Sequence, residues 1–229
     1  MTQDQWTAVD RYFTDLLIPP DPALDAALRD SAAANLPPIN VTPTQGKLLH
    51  LLAKIQGAAA ILEIGTLGGY STIWLARALP PSGRLITLEA DPKCAQIARA
   101  NIARAGLADA VEVRLGRALE TLPRLATEKR GPFDLIFIDA DKPATADYFT
   151  WALKLSRPGS LIIVDNVVRK GAVVDAASAD ADVQGIRRFN QVLAAEKRVT
   201  ATAIQTVGSK GYDGLAIVRV ESEMHPQAD

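Results

Sequence analysis

Four acidic side chains stand at or near the ends of short apolar segments: Glu63, Glu89, Asp139 and Asp165. Short apolar segments that alternate with helical patterns predict parallel strands, and the carboxyl ends of parallel strands meet at one edge of a sheet. Four carboxylates at one edge favour a cationic ligand, such as a metal ion or a sulfonium group. These residues are therefore the first candidates for a functional site.

Two of these carboxylates belong to denser polar motifs. Asp139-Ala-Asp-Lys142 follows one predicted strand, and Asp165-Asn166 follows the next. Carboxylates with an amide oxygen, without imidazole or thiolate, suit Mg²⁺, Mn²⁺ or Ca²⁺ and leave coordination positions for water and a vicinal diol. Lys142 comes three residues after Asp139, so it can reach the same place and act as a general base.

A glycine-rich turn, residues 65–71, joins a predicted strand to a predicted helix and lets a ligand approach the backbone closely. The turn lacks the Gly-x-Gly-x-x-Gly spacing of dinucleotide-binding proteins, and Glu63 just before it would repel a pyrophosphate. An adenosyl ligand without phosphates fits better. Glu89 can accept hydrogen bonds from both ribose hydroxyls, but that feature also suits NAD, so an NAD-dependent oxidoreductase remains an alternative.

Alternating elements must position these residues. Five short apolar runs, residues 60–64, 84–88, 111–115, 133–138 and 160–164, alternate with helical patterns near 70–79, 92–105, 117–126 and 144–155. A helix near 182–195 precedes two strands, 199–207 and 215–220, on either side of a glycine-rich turn. We therefore predict an α/β fold with a doubly wound, Rossmann-like, mostly parallel seven-stranded sheet and a C-terminal antiparallel hairpin.

The segment 1–40 contains proline-rich breaks around two helical patterns, near residues 4–17 and 22–34, which predicts a helical N-terminal extension. Thr42 and Pro43 then have the residue types of a helix cap and first helical position. The length of 229 residues suits one domain spanning 1–229, with the extension as part of it.

The composition of the chain argues against several classes of partner and site. The 25 basic and 26 acidic residues balance, which argues against a nucleic-acid-binding face. No apolar run approaches the roughly 18 residues of a membrane span, and the N-terminus lacks the pattern of a signal peptide, so we expect a cytoplasmic protein without membrane contact. The single cysteine, Cys94, excludes an internal disulfide and a cysteine-cluster metal site.

Taken together, several motifs resemble the metal-dependent class I O-methyltransferases, the family of catechol and caffeoyl-CoA O-methyltransferases. They are Asn40-Val41, ILEIGTLGGYS at 61–71, LITLEADP at 85–92, FIDADK at 137–142 and VDN at 164–166. Their order and spacing match the family across roughly residues 35–220. The resemblance implies methyl transfer from S-adenosylmethionine to a hydroxyl of a catechol-like or caffeoyl-type small molecule.

The resemblance also implies roles for individual residues. S-adenosylmethionine would be bound by Val41, Glu63, Gly65, Gly69, Tyr70, Ser71, Glu89, Ala90, Ala118 and Asp139. Asp139, Asp165 and Asn166 would bind Mg²⁺, or Mn²⁺ or Ca²⁺. Lys142 would take the proton from the acceptor hydroxyl, with Asp139 beside it as the second catalytic residue. The family resemblance further implies a homodimer.

Two departures from the family pattern concern the acceptor. Lys210 stands where the resemblance implies a substrate-binding carboxylate in the catechol enzymes of animals, and Arg169-Lys170 follows the second polar motif. The basic pair favours a carboxylated or CoA-linked acceptor. A non-catalytic adenosyl-binding module is a further alternative, although it would leave the predicted metal site and Lys142 without a purpose.

Overall fold

Seven strands form one sheet in the computed structural model of the chain, which describes residues 2–222. The strands are β1 Ala60–Ile64, β2 Arg84–Glu89, β3 Val111–Leu115, β4 Phe133–Ile138, β5 Ser156–Asp165, β6 Val199–Gly208 and β7 Gly211–Val220. Their order across the sheet is β3-β2-β1-β4-β5-β7-β6. The first five are parallel and β7 runs antiparallel to both neighbours, which confirms the predicted fold.

Eight α-helices accompany the sheet within the described residues. They are α1 Gln3–Leu17, α2 Pro22–Ala33, α3 Pro43–Gln56, α4 Tyr70–Ala76, α5 Pro92–Arg104, α6 Ala118–Thr127, α7 Thr145–Lys154 and α8 Ala181–Ala195. Two 3₁₀ segments, Lys142–Ala144 and Arg169–Val174, lie close to the predicted metal motifs. Within residues 2–222, none of the helices has the length and apolar character needed to cross a membrane.

The core lies on both faces of the central strands β1 and β4, whose side chains are all buried. Successive residues of a strand point to opposite faces. Leu62 belongs to an apolar cluster with side chains of α6, α7 and α8, whereas Ile61 belongs to a second cluster with side chains of α3, α4 and α5. Because helices cover both faces, these strands are apolar almost throughout their length.

The start of α3 follows the predicted cap. The Thr42 hydroxyl accepts the backbone N–H of Gln45, and the Gln45 side chain accepts the backbone N–H of Thr42, so the two form a capping box. Pro43 occupies the first helical position. This cap fixes the point where the chain leaves the N-terminal extension and enters the sheet domain, directly after Val41.

The C-terminal hairpin differs from the prediction. The sequence pattern predicted a turn over residues 208–214, but the two strands pair as far as Gly208 and Gly211, leaving a two-residue turn of Ser209 and Lys210. Gly211 has a φ of 95°, a backbone conformation that favours glycine. The prediction ended the strands too early because their last residues are polar. The β6–β7 hairpin extends beyond the buried part of the sheet, where strand residues need not be apolar.

Candidate functional site

A cavity of about 580 Å³ opens above the carboxyl ends of β1, β2 and β4. Most residues predicted to bind the adenosyl ligand line it: Val41, Gly65, Tyr70, Ser71, Glu89, Ala90, Ala118 and Asp139. Lys142 and Asn166 line the same cavity. The strand order therefore brings the two predicted sites, for donor and for metal, to one opening.

The turn after β1 depends on glycine at one position. Gly65 has a φ of 100°, and a side-chain carbon there would overlap the carbonyl oxygen of Asp139 at the end of β4. The absence of a side chain lets the turn lie against the neighbouring strand end. The donor-side turn and the Asp139 motif are thereby held in contact.

Glu63 and Gly69 do not line the cavity. Glu63 is fully buried and accepts hydrogen bonds from the hydroxyls of Ser71 at 2.6 Å, Thr72 at 2.5 Å and Thr87 at 2.7 Å. Burial raises the pKa of Glu63 to about 7, although the three hydroxyls lower it. Gly69 packs beside Ala98 of α5. Glu63 therefore contacts the cavity lining through Ser71.

Glu89 has a structural task that the sequence did not indicate. One carboxylate oxygen accepts the backbone N–H groups of Thr66 at 3.2 Å and Leu67 at 2.8 Å, and the other accepts that of Asp91 at 2.9 Å. The side chain thus fastens the turn after β1 to the end of β2. A carboxylate offers about four acceptor positions, so it can hold the turn and still accept ribose hydroxyls.

Lys142 and Asp139 form a close pair. The ammonium of Lys142 donates to the Asp139 carboxylate at 2.8 Å, and Lys142 is only 8% exposed. Its 3₁₀ segment is pressed against α8, where a side-chain carbon on Gly185 would overlap the backbone of Lys142 and Pro143. Gly185 was missed by the sequence reasoning, because this contact joins segments far apart in the chain.

Asp165 and Asn166 complete the group at the end of β5. Asp165 is 5% exposed, and its carboxylate accepts the backbone N–H of Asn166 at 2.8 Å. Burial and the negative charge of Asp139 raise the pKa of Asp165 to about 7, although Lys142 lowers it. Two carboxylates are thus held near each other in a desolvated place, with one ammonium beside them.

Asp141, the second carboxylate of the Asp139–Lys142 motif, pairs with a residue of α7. It accepts a short hydrogen bond from the Tyr148 hydroxyl of α7. Burial, followed by this hydrogen bond, raises the pKa of Tyr148. Tyr148 belongs to the buried apolar core and also lines the large cavity. The sequence carried no further signal for it, because the contact depends on how α7 docks.

The family model described as O-methyltransferase matches residues 20–220. The chain belongs to this O-methyltransferase family. A catechol O-methyltransferase of Niastella koreensis is 55% identical over 96% of this chain and 100% of its own length. The solved O-methyltransferase of Bacillus cereus in complex with SAH is 62% identical, with a TM-score of 0.95 over 96% of this chain and 100% of that one.

A second solved family member carries the methyl donor. TomG of Streptomyces achromogenes, involved in tomaymycin synthesis and solved in complex with SAM, is 54% identical. Its TM-score is 0.94, covering 97% of this chain and 100% of that one. The chain is thus an S-adenosylmethionine-dependent O-methyltransferase, as the motifs predicted. Neither an NAD-dependent oxidoreductase nor a non-catalytic module accounts for these similarities.

Proposed function

We propose that this O-methyltransferase methylates one hydroxyl of a catechol-like small molecule with the help of a divalent metal ion. The main support is that Lys142, its partner Asp139 and Asn166 line the same cavity. The buried Asp165 is the residue before Asn166. A family member with 55% identity is named a catechol O-methyltransferase, which supports the choice of acceptor.

For the donor, we propose that the large cavity holds S-adenosylmethionine. Val41, Gly65, Tyr70, Ser71, Ala90 and Ala118 would contact it directly, Glu89 would accept the ribose hydroxyls, and Asp139 would approach the methyl group. Glu63 and Gly69 would support the cavity without contacting the donor. Glu63 would do so by orienting the Ser71 hydroxyl. The cavity volume of about 580 Å³ lies within the roughly 300–1,000 Å³ of small-molecule sites.

The donor set of Asp139, Asp165 and Asn166 fits a hard divalent cation, Mg²⁺ or else Mn²⁺ or Ca²⁺. Asp165 is buried, yet within residues 2–222 its carboxylate has a hydrogen bond only from the neighbouring backbone N–H. The Asn166 side-chain amide has no hydrogen bond in the same part of the chain, and Asn166 lines the cavity. No cluster of three histidine, cysteine or acidic residues suited to a metal is found there, so the proposed set combines two carboxylates with the Asn166 amide oxygen.

The mechanism follows from where Lys142 lies. In its neutral form, the amine takes the proton of the acceptor hydroxyl, and Asp139 holds the resulting ammonium. The acceptor oxygen then attacks the methyl carbon, the carbon–sulfur bond breaks, and the sulfonium becomes a neutral thioether. A bound dication supplies electrostatic stabilisation of the phenolate. Alignment of two reactants in one cavity can contribute about 7 to 11 kcal/mol.

The test is an assay with purified protein, S-adenosylmethionine and a panel of vicinal diphenols, free and CoA-linked, followed by mass spectrometry. We expect a mass gain of one methyl group with Mg²⁺ and its loss with a chelator, restored by excess Mg²⁺. Methylation that persists in chelator would contradict the metal dependence while leaving the transferase intact. Donor binding without any product from the panel would contradict the proposed acceptor class.

We also propose that the enzyme is a homodimer. Helices α1 and α3 expose several apolar side chains. A cavity of about 530 Å³ is lined by Val9, Phe13, Leu17, Leu48 and Leu51, and α1 also exposes Tyr12 and Leu16. Contiguous exposed apolar surface on this scale is typical of an interface. A two-fold pairing of this face with the same face of a second copy would cover it.

Light scattering at micromolar concentration should show a dimer for the wild type and a monomer for Leu17→Asp, because Leu17 is 63% exposed and lines the cavity of this face. Val192→Asp is the control, since Val192 is an exposed apolar residue on α8, away from that face. A wild-type monomer, or a Val192→Asp variant that dissociates equally, would contradict the proposed interface.

A further inference from the structure

A second cavity, of about 270 Å³, lies beneath the hairpin that joins β6 and β7. Asp165 and Asn166 line it at the predicted metal site, and Lys210 lines it at the hairpin turn. It shares Ile39, Asn40, Val41 and Asn166 with the donor cavity. Its volume is slightly below the roughly 300–1,000 Å³ of drug-sized ligand sites, so it suits a small acceptor such as a single aromatic ring.

Lys210 is the one basic residue among the described residues that line this cavity. Its ammonium donates to the backbone carbonyl oxygens of Pro38, at 2.9 Å, and Asn40. Although the residue is exposed at the turn, desolvation of the ammonium lowers the pKa of Lys210. Within residues 2–222 the hydrogen bonds of this ammonium go to neutral carbonyl oxygens, whereas Asp139 and Asp165 attract it through longer-range charge interactions.

The carboxylates around this cavity have other partners. Asp10 of α1 accepts the backbone N–H and hydroxyl of Ser209 and the hydroxyl of Thr44. Asp213 accepts the backbone N–H groups of residues 168, 169 and 214 through one oxygen. Asp165 belongs to the proposed metal site. Lys210 therefore lines the cavity without a carboxylate in direct contact, and the charges of Asp139 and Asp165 reach it from farther away.

The neighbouring basic pair is less suited to an anion in this cavity. Arg169 donates to Asp182 at 2.8 Å and lines the donor cavity rather than the smaller one. Lys170 is exposed and lines neither of the two cavities. The smaller cavity therefore has its positive charge from Lys210 and not from Arg169 or Lys170.

We propose that Lys210 binds a carboxylate group carried by the acceptor, so that dihydroxylated aromatic acids are the preferred substrates. The inference rests on the proposed function, with the acceptor hydroxyls at Asp165 and Asn166 and the ring in the smaller cavity. The acid would face the ammonium across that cavity and replace one of its carbonyl contacts. A charge-assisted hydrogen bond of this kind is stronger than the neutral contact that it replaces.

The test compares 3,4-dihydroxybenzoate with its neutral amide, 3,4-dihydroxybenzamide, in the presence of S-adenosylmethionine and Mg²⁺. We expect wild-type kcat/KM to be about tenfold or more higher for the acid, because hydrogen bonds to charged groups contribute more than neutral ones. Lys210→Met should raise KM for the acid about tenfold and change kcat/KM for the amide less than twofold. Lys210→Arg should retain the preference for the acid.

Lys197→Met is the matched control, since Lys197 is an exposed lysine in the turn between α8 and β6. It should leave both substrates unaffected. Calorimetry of 3,4-dihydroxybenzoate binding to protein loaded with S-adenosylhomocysteine and Mg²⁺ gives a second readout, in which Lys210→Met should weaken the affinity by a similar factor.

Three outcomes would overturn the inference. Equal wild-type efficiency with acid and amide would show that the carboxylate is not recognised, while the methyl transfer itself stood. An equal loss for both substrates in Lys210→Met would show that Lys210 only ties the hairpin to the segment around Asn40. Failure of the wild type to methylate either compound would reject the proposed acceptor class and, with it, this inference.

Discussion

Replacement of Lys142 by methionine should lower kcat by about 10²- to 10⁴-fold, the range that general acid–base catalysis contributes. The affinity for S-adenosylmethionine should stay within about twofold, because Lys142 contacts the Asp139 carboxylate rather than the glycine-rich turn. Methionine keeps the length and the apolar stem of the side chain. The measurement is steady-state turnover at saturating donor and acceptor, with the donor affinity obtained separately by calorimetry.

Two control measurements show whether a loss of turnover in Lys142→Met is catalytic. Thermal unfolding separates a catalytic loss from a folding defect, because removing the ammonium leaves the half-buried Asp139 carboxylate without its partner. Lys93→Met, at an exposed lysine near the start of α5, should behave like the wild type. Normal turnover of Lys142→Met would exclude Lys142 as the base. A parallel loss of donor binding would instead indicate that Lys142 holds the cavity wall in place.

The order of strands explains why so much of the site followed from the sequence. Asp139 and Asp165 come directly after apolar runs that had to be neighbouring parallel strands, and parallel strands end at the same edge. Lys142 and Asn166 are within three residues of those carboxylates. Local spacing and sheet topology together were therefore sufficient to predict that Asp139, Lys142 and Asn166 line one cavity, whereas Asp165 lies beside it and lines the smaller one.

Contacts that join distant segments were not predictable in the same way. Gly185 packs on the backbone of Lys142, and Lys210 reaches the carbonyl oxygens of residues 38 and 40 across the molecule. Neither contact leaves a periodic pattern or a motif in the sequence. The burial of Glu63 behind Ser71 depends in the same manner on the exact direction of one side chain. Residue types near a strand end indicate a site, whereas the docking of helices decides which atoms face it.

Among the described residues, Asp165 and Asp134 are the buried aspartates, and their pKa values shift in opposite directions. Burial alone would raise the pKa of Asp134, but the backbone N–H groups of Ala59 and Ala60, together with Arg157, hold it below its usual value. A lowered folded-state pKa means that the charge stabilises the fold above the unfolded value and that this contribution is lost as the pH falls. Asp165 has the opposite shift, so its charge destabilises the metal-free fold increasingly as the pH rises toward about 7.

Asp165→Asn should therefore abolish Mg²⁺-dependent methylation while leaving the chelator-treated protein at pH 8 with a melting temperature equal to or above that of the wild type. The substitution removes a buried negative charge that faces Asp139, and it keeps the shape of the side chain. Mg²⁺ affinity, measured by calorimetry, should fall by at least about tenfold, since a neutral amide replaces one of two carboxylate ligands.

Asp134→Asn, the matched control, should melt lower than the wild type and retain its Mg²⁺ affinity. A metal-free Asp165→Asn variant that unfolds more readily than the wild type would mean that Asp165 is retained to stabilise the fold, and an unchanged Mg²⁺ affinity would remove Asp165 from the metal site.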